Sequence, residues 1–112
     1  MSSLSTHVLD LSTGRPAAGI AVAVDILSGS EWRALGTSTT DQDGRVKDLL
    51  GARPLSVETY RLTFETASYF SRRGVRCFYP HVIVTFSVDD ASRSHNVPLL
   101  LSPFGYSTYR GS

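Results

Sequence analysis

The chain has 112 residues, 41% hydrophobic and 19% charged, which is enough to bury one core and excludes a disordered chain, so residues 1–112 are read as a single domain. Net charge is +1, from 11 basic and 10 acidic residues, a balance that gives no basis for nucleic acid or an anionic membrane as partner. One cysteine, Cys77, excludes an intrachain disulfide, and a lone thiol suits a reducing compartment.

The first residues, Met1-Ser2-Ser3-Leu4, lack the basic and apolar regions of a secretory signal, so the expectation is a cytoplasmic protein. No apolar run approaches the roughly 20 residues of a membrane-spanning helix. Residues 6–9 form a short strand candidate ended by Asp10, and residues 11–16 read as a loop punctuated by Gly14 and Pro16. From Gly19 the alternation is plain: Ile20, Val22, Val24 and Ile26 share one face, Ala21, Ala23 and Asp25 the other. Ser28-Gly29-Ser30 is a turn, and residues 32–39 form a third strand. Asp41-Gln42-Asp43-Gly44 is a tight turn, with Asp-Gly its strongest element.

Residues 45–50 are expected as a fourth, short strand, followed by a turn at Gly51-Ala52-Arg53-Pro54. Residues 56–65 read as a longer strand, with Tyr60, Leu62 and Phe64 on one side. Residues 66–74 break that period. Thr66 is the expected N-cap of a short helix and Gly74 its C′ residue. Val82, Val84, Phe86 and Val88 then alternate with Ile83, Thr85 and Ser87. Residues 94–101 form a strand that Pro98 should confine to an edge, a bulge or a position without a ladder bond. Ser102-Pro103-Phe104-Gly105 is a turn, and Tyr106, Thr108 and Tyr109 favour a last strand. Seven or eight short strands with one small helix define an all-β fold, a β-sandwich.

Candidate chemistry is sparse. The histidines are His7, His81 and His95. His81, after Pro80 at the start of a strand, reads as a surface residue. His7 stands within a strand, and a neutral imidazole there can take a proton from water. Arg45 follows the Asp-Gly turn, and its guanidinium offers a planar fork of donors for carbonyl or anionic oxygens. No Cys/His cluster has zinc spacing, so no metal or cofactor is expected. Ser107 lacks a Gly-x-Ser-x-Gly elbow, which leaves a covalent serine mechanism without support.

Four stretches carry a resemblance that spans essentially the whole chain. They are Leu4-Ser5-Thr6-His7-Val8-Leu9-Asp10, Thr40-Asp41-Gln42-Asp43-Gly44-Arg45, Cys77-Phe78-Tyr79-Pro80, and Val97-Pro98 through Tyr109-Arg110-Gly111-Ser112. Together they resemble the motifs of 5-hydroxyisourate hydrolases, the transthyretin-related enzymes of urate breakdown. The resemblance implies a transthyretin-like (prealbumin-like) sandwich of two four-stranded sheets, with the helix after the fifth strand. It implies a homotetramer, a dimer of dimers, with sites in the channel between dimers. It implies cofactor-free hydrolysis of 5-hydroxyisourate to 2-oxo-4-hydroxy-4-carboxy-5-ureidoimidazoline. His7 takes the family's histidine position, Arg45 its substrate-binding arginine and Ser112 its terminal serine. Tyr109, Arg110 and Gly111 complete the matching tetrapeptide and are expected to line the site.

One departure matters. The family reads Tyr-His-Val-Pro where this chain reads His95-Asn96-Val97-Pro98, and that histidine is catalytic in the family. Adjacent strand residues face opposite sides. Either a bulge turns His95 into the site, or Asn96 serves there as a neutral hydrogen-bonding residue, or the pair marks a loss of activity. The alternative function is therefore a transthyretin-like carrier that binds a small ligand without chemistry.

Overall fold

The computed structural model describes residues 2–111. Its first sheet is built around β1 (Leu4–Asp10), where Leu4, Thr6, Val8 and Asp10 are buried and Ser5, His7 and Leu9 are half-exposed. β1 pairs in parallel with β8 (His95–Ser102), which pairs antiparallel with β9 (Gly105–Thr108). Two two-residue strands share the other edge of β1: β2 (Arg15–Pro16) beside Leu9 and Asp10, and β5 (Arg45–Val46) beside Thr6 and His7. The second sheet runs β4 (Glu31–Thr39), β3 (Ala21–Ser28), β6 (Thr59–Phe64), β7 (Val82–Ser87), all antiparallel. The fold class is the expected transthyretin-like sandwich, with β2 making the first sheet five-stranded rather than four-stranded.

The period-2 faces meet between the sheets. Leu4, Val8, Leu99 and Leu101 pack toward Val22, Val24, Tyr60, Leu62, Phe64 and Val82 in one buried cluster. Each such side chain contributes about 1.5–3 kcal/mol by leaving water. Buried polar groups are mostly satisfied. The Thr6 hydroxyl donates to the Val97 carbonyl at 2.6 Å. Asp10 accepts from the Ser12 amide and hydroxyl and from the Tyr69 hydroxyl, the last at 2.7 Å. Burial pushes the Asp10 carboxyl up, but the Ser12 and Tyr69 bonds outweigh it and hold it below the usual range. The Tyr69 phenol is pushed up to about 12, first by its own burial and then by its bond to Asp10. This pair ties α1 (Thr66–Arg72) to the end of β1.

Three local expectations change. The strand expected over residues 45–50 stops at Val46, because the Leu49 amide turns to the Leu4 carbonyl at 2.7 Å and Asp48 accepts from the Leu50 amide. The strand expected over residues 56–65 spans only Thr59–Phe64, because the Tyr60 hydroxyl holds the Ser56 amide at 3.1 Å in a turn. Glu65, not Thr66, is the helix N-cap, and the buried Thr66 hydroxyl has no partner among the described residues. Gly74, with φ +69°, does follow the helix in the left-handed region. Pro98 takes the third of its expected placements, a position without a ladder bond, within a central strand. Its carbonyl faces the Thr108 hydroxyl at 2.6 Å, so its nitrogen points to the same side, where β9 has already ended. No ladder bond is lost there.

Candidate active site

The outward positions of β1 and β8 form one open face. Register arranges its side chains in two rows. Arg45, His7 and Pro98 are paired neighbours across β5, β1 and β8. Ser5, Asn96 and Gly111 are paired neighbours in the adjoining row, the last through an isolated bridge. Neighbours within a row stand about 5 Å apart, and diagonal ones about 7–8 Å apart.

Arg45 owes its place to the turn before it. Gly44 has φ +73°, and its carbonyl accepts the Val8 amide at 2.7 Å. The Asp41 carboxylate accepts the Arg45 and Asp43 amides, each at 2.9 Å. The Arg45 amide, foremost, holds the Asp41 carboxyl below its ordinary range. The guanidinium is left exposed beside a shallow hollow of about 290 Å³ lined by Ser5, Thr6, Arg45, Val46 and Lys47.

Asn96 is half-buried on the open face, its Oδ1 accepting from the Ser5 hydroxyl at 3.1 Å and its carbonyl from the Gly111 amide at 2.8 Å. His95 points the other way. It is 5% exposed, its Nδ1 lies 2.8 Å from the Arg93 carbonyl, and its buried Nε2 has no partner among the described residues. The β1–β8 register is unbroken from Leu4–His95 to Asp10–Leu101, so no bulge turns His95 outward.

Tyr109 and Arg110 are not beside His7. They are exposed and line, with His95 and Asn96, a cleft of about 220 Å³ between β7 and β8 at the edge of the sandwich, so Asn96 is shared between that cleft and the open face. Of the last tetrapeptide, Gly111 reaches the open face and Ser112 lies outside the described residues. His81 is exposed. Among the described residues no group of His, Cys, Asp and Glu is arranged to hold a metal ion. Ser5 is the residue sequence reasoning missed; its spacing of two from His7 was the available signal.

A transthyretin-like sandwich with this histidine–arginine pair on one outer face defines a class, and comparison with known proteins names it. The chain belongs to the HIUase/Transthyretin family, whose model matches residues 4–111. It is 43% identical over 113 residues to the 5-hydroxyisourate hydrolase of Mus musculus, covering 99% of this chain and 96% of that protein. The 5-hydroxyisourate hydrolase structure from Klebsiella pneumoniae superposes with a TM-score of 0.88 at 38% identity, covering all (100%) of both chains. Sea bream transthyretin in complex with thyroxine superposes with a TM-score of 0.90 at 29% identity, covering 96% of this chain and 93% of that one.

Proposed function

We propose that this protein hydrolyses 5-hydroxyisourate, opening its ring to give 2-oxo-4-hydroxy-4-carboxy-5-ureidoimidazoline. The observation that carries the reading is the registered His7–Arg45 pair on the open face of a chain similar along its whole length to 5-hydroxyisourate hydrolases. His7 takes a proton from water as the water oxygen attacks the ring carbonyl carbon. Negative charge moves to the carbonyl oxygen, where the Arg45 guanidinium stabilises it, joined by the Asn96 amide. Collapse breaks the ring C–N bond, and the imidazolium returns its proton to the leaving nitrogen. Each of these roles falls to a protein side chain, so the step as written calls for no cofactor.

The active form is a homotetramer in this reading, with the open faces of two dimers enclosing the substrate channel. The exposure of Arg45 and the shallow hollow beside it support that, since a solvated cation gains strength when water is excluded. Ser112, which lies outside the described residues, is assigned a polarising role at the site in this reading. The carrier reading is favoured by one feature, Asn96, where the family has an imidazole. Ultraviolet decay of freshly generated 5-hydroxyisourate separates the two. Hydrolysis faster than buffer, reduced about 10²–10⁴-fold by His7→Ala, supports the enzyme. Decay at the buffer rate with tight ligand binding moves the assignment to the carrier.

A further inference from the structure

We infer that Ser5 and Gly111 are positioning residues for Asn96, which they turn into a fixed, non-titrating hydrogen-bond donor for a carbonyl or anionic oxygen of the purine-derived substrate; this rests on the hydrolase reading above.

The three residues form one row across the sheet, each registered with the next. On the β1 side, the Ser5 hydroxyl occupies Oδ1 of Asn96 at 3.1 Å. That sends Nδ2 the other way. On the far side, a Cβ placed on Gly111 would lie 2.7 Å from Nδ2 and 3.2 Å from both Cβ and Cγ of Asn96. The amide therefore fills the space above Gly111. The residues with positive φ are Gly14, Gly19, Gly29, Gly44, Gly51 and Gly74, so glycine at 111 serves close approach and not a left-handed turn. The Gly111 amide also donates to the Asn96 carbonyl at 2.8 Å, which fixes the separation.

Asn96 is thus held on two sides, with its acceptor occupied from β1 and its donor atom over Gly111. Nδ2 donates to nothing among the described residues. A primary amide N–H is neutral over the whole working range of pH, whereas an imidazole donates from both nitrogens only when protonated. The site so built combines the His7 imidazole with an amide donor whose strength does not change with pH. Ser5 acts through Asn96 and does not itself touch substrate.

The test uses the full chain. Ser5→Ala should lower kcat by up to about tenfold, the value of one lost orienting bond, with a smaller change in KM. Ser5→Thr, which keeps the hydroxyl, should restore it. Gly111→Ala should lower kcat more, by displacing the amide. All three should keep the shape of the wild-type pH–rate profile. A second readout is independent of turnover: urate, a stable ring of the same class, should shift the Asn96 side-chain NH₂ resonances of ¹⁵N-labelled protein, and less so in Ser5→Ala. An active wild type whose Asn96 resonances ignore urate, or a Ser5→Ala variant with unchanged kcat, overturns the donor role and leaves the hydrolase reading standing. An inactive wild type whose Asn96 resonances still respond to urate supports the donor and removes the hydrolase.

Discussion

Replacing Gly44 with alanine tests whether the Asp41–Gly44 turn sets the site. The left-handed φ of +73° costs a residue with a Cβ about 1–2 kcal/mol. The added Cβ would also overlap the Val8 carbonyl oxygen and crowd Pro16 Cβ at 3.1 Å and the Ala17 amide at 3.2 Å. These neighbours cannot retreat. Val8 accepts the Ala17 amide at 2.9 Å and is registered with Leu99 of β8. The turn must move instead, and its bond from the Val8 amide to the Gly44 carbonyl is lost, worth about 0.5–1.5 kcal/mol. The sum is a destabilisation of about 1.5–3.5 kcal/mol, which a domain of ordinary stability survives. The displaced residue is Arg45, and a shift near 1 Å at a positioning group can cost about 10²-fold in rate. Urea unfolding should report the lower stability. The 5-hydroxyisourate decay assay should report kcat/KM reduced by tenfold or more in protein that is still folded. A Gly44→Ala variant with wild-type stability and wild-type kcat/KM would refute the argument that this turn places Arg45.

Asn96→His should add a second ionisation to the pH–rate profile, since an imidazole titrates where an amide does not; a profile superimposable on wild type would count against Asn96 facing the substrate. His95→Leu should leave kcat/KM at its wild-type value because His95 faces the interior, and an abolished rate in folded protein would contradict that placement. The Asp10 carboxyl is lowered on folding, so its stabilisation is present above the ordinary carboxylate range near 3.9 and is lost as pH falls through the lowered value. Thermal unfolding of Asp10→Asn should therefore show a flatter acid limb. The Tyr69 phenol is raised, so its stabilisation is full below about 10 and is lost as pH rises toward about 12; Tyr69→Phe should remove that alkaline loss, and an equally steep fall in Tm would exclude the Asp10–Tyr69 bond as its origin. Light scattering should give a tetramer, and a fully active monomer would rule out the shared channel.

The alternation of Val22, Val24 and Ile26, and of Tyr60, Leu62 and Phe64, was legible because a strand exposes its period directly in the chain. So were the Asp41–Gly44 turn and Gly74, whose backbone demands follow from residue type. Strand lengths were less legible. Residues 47–50 and 56–58 have acceptable strand composition, but the distant Leu4 carbonyl takes the Leu49 amide and the side-chain hydroxyl of Tyr60 takes the Ser56 amide. Alternation likewise said that His95 and Asn96 must face opposite ways, and it could not say which faces the core. That was decided by the parallel pairing of β1 with β8, which sets Leu4 opposite His95 and Ser5 opposite Asn96 across some 91 positions of sequence. By itself, then, the sequence determined the sandwich class, the turns and the residue types available for chemistry, because these depend on neighbours along the chain. Only the tertiary structure decided that His7 stands beside Arg45, that Ser5 holds Asn96, and that Tyr109 and Arg110 share a cleft with Asn96. Those contacts depend on strand register and on which edge of each sheet meets which, and a periodic pattern is the same in every register that keeps its apolar face inward.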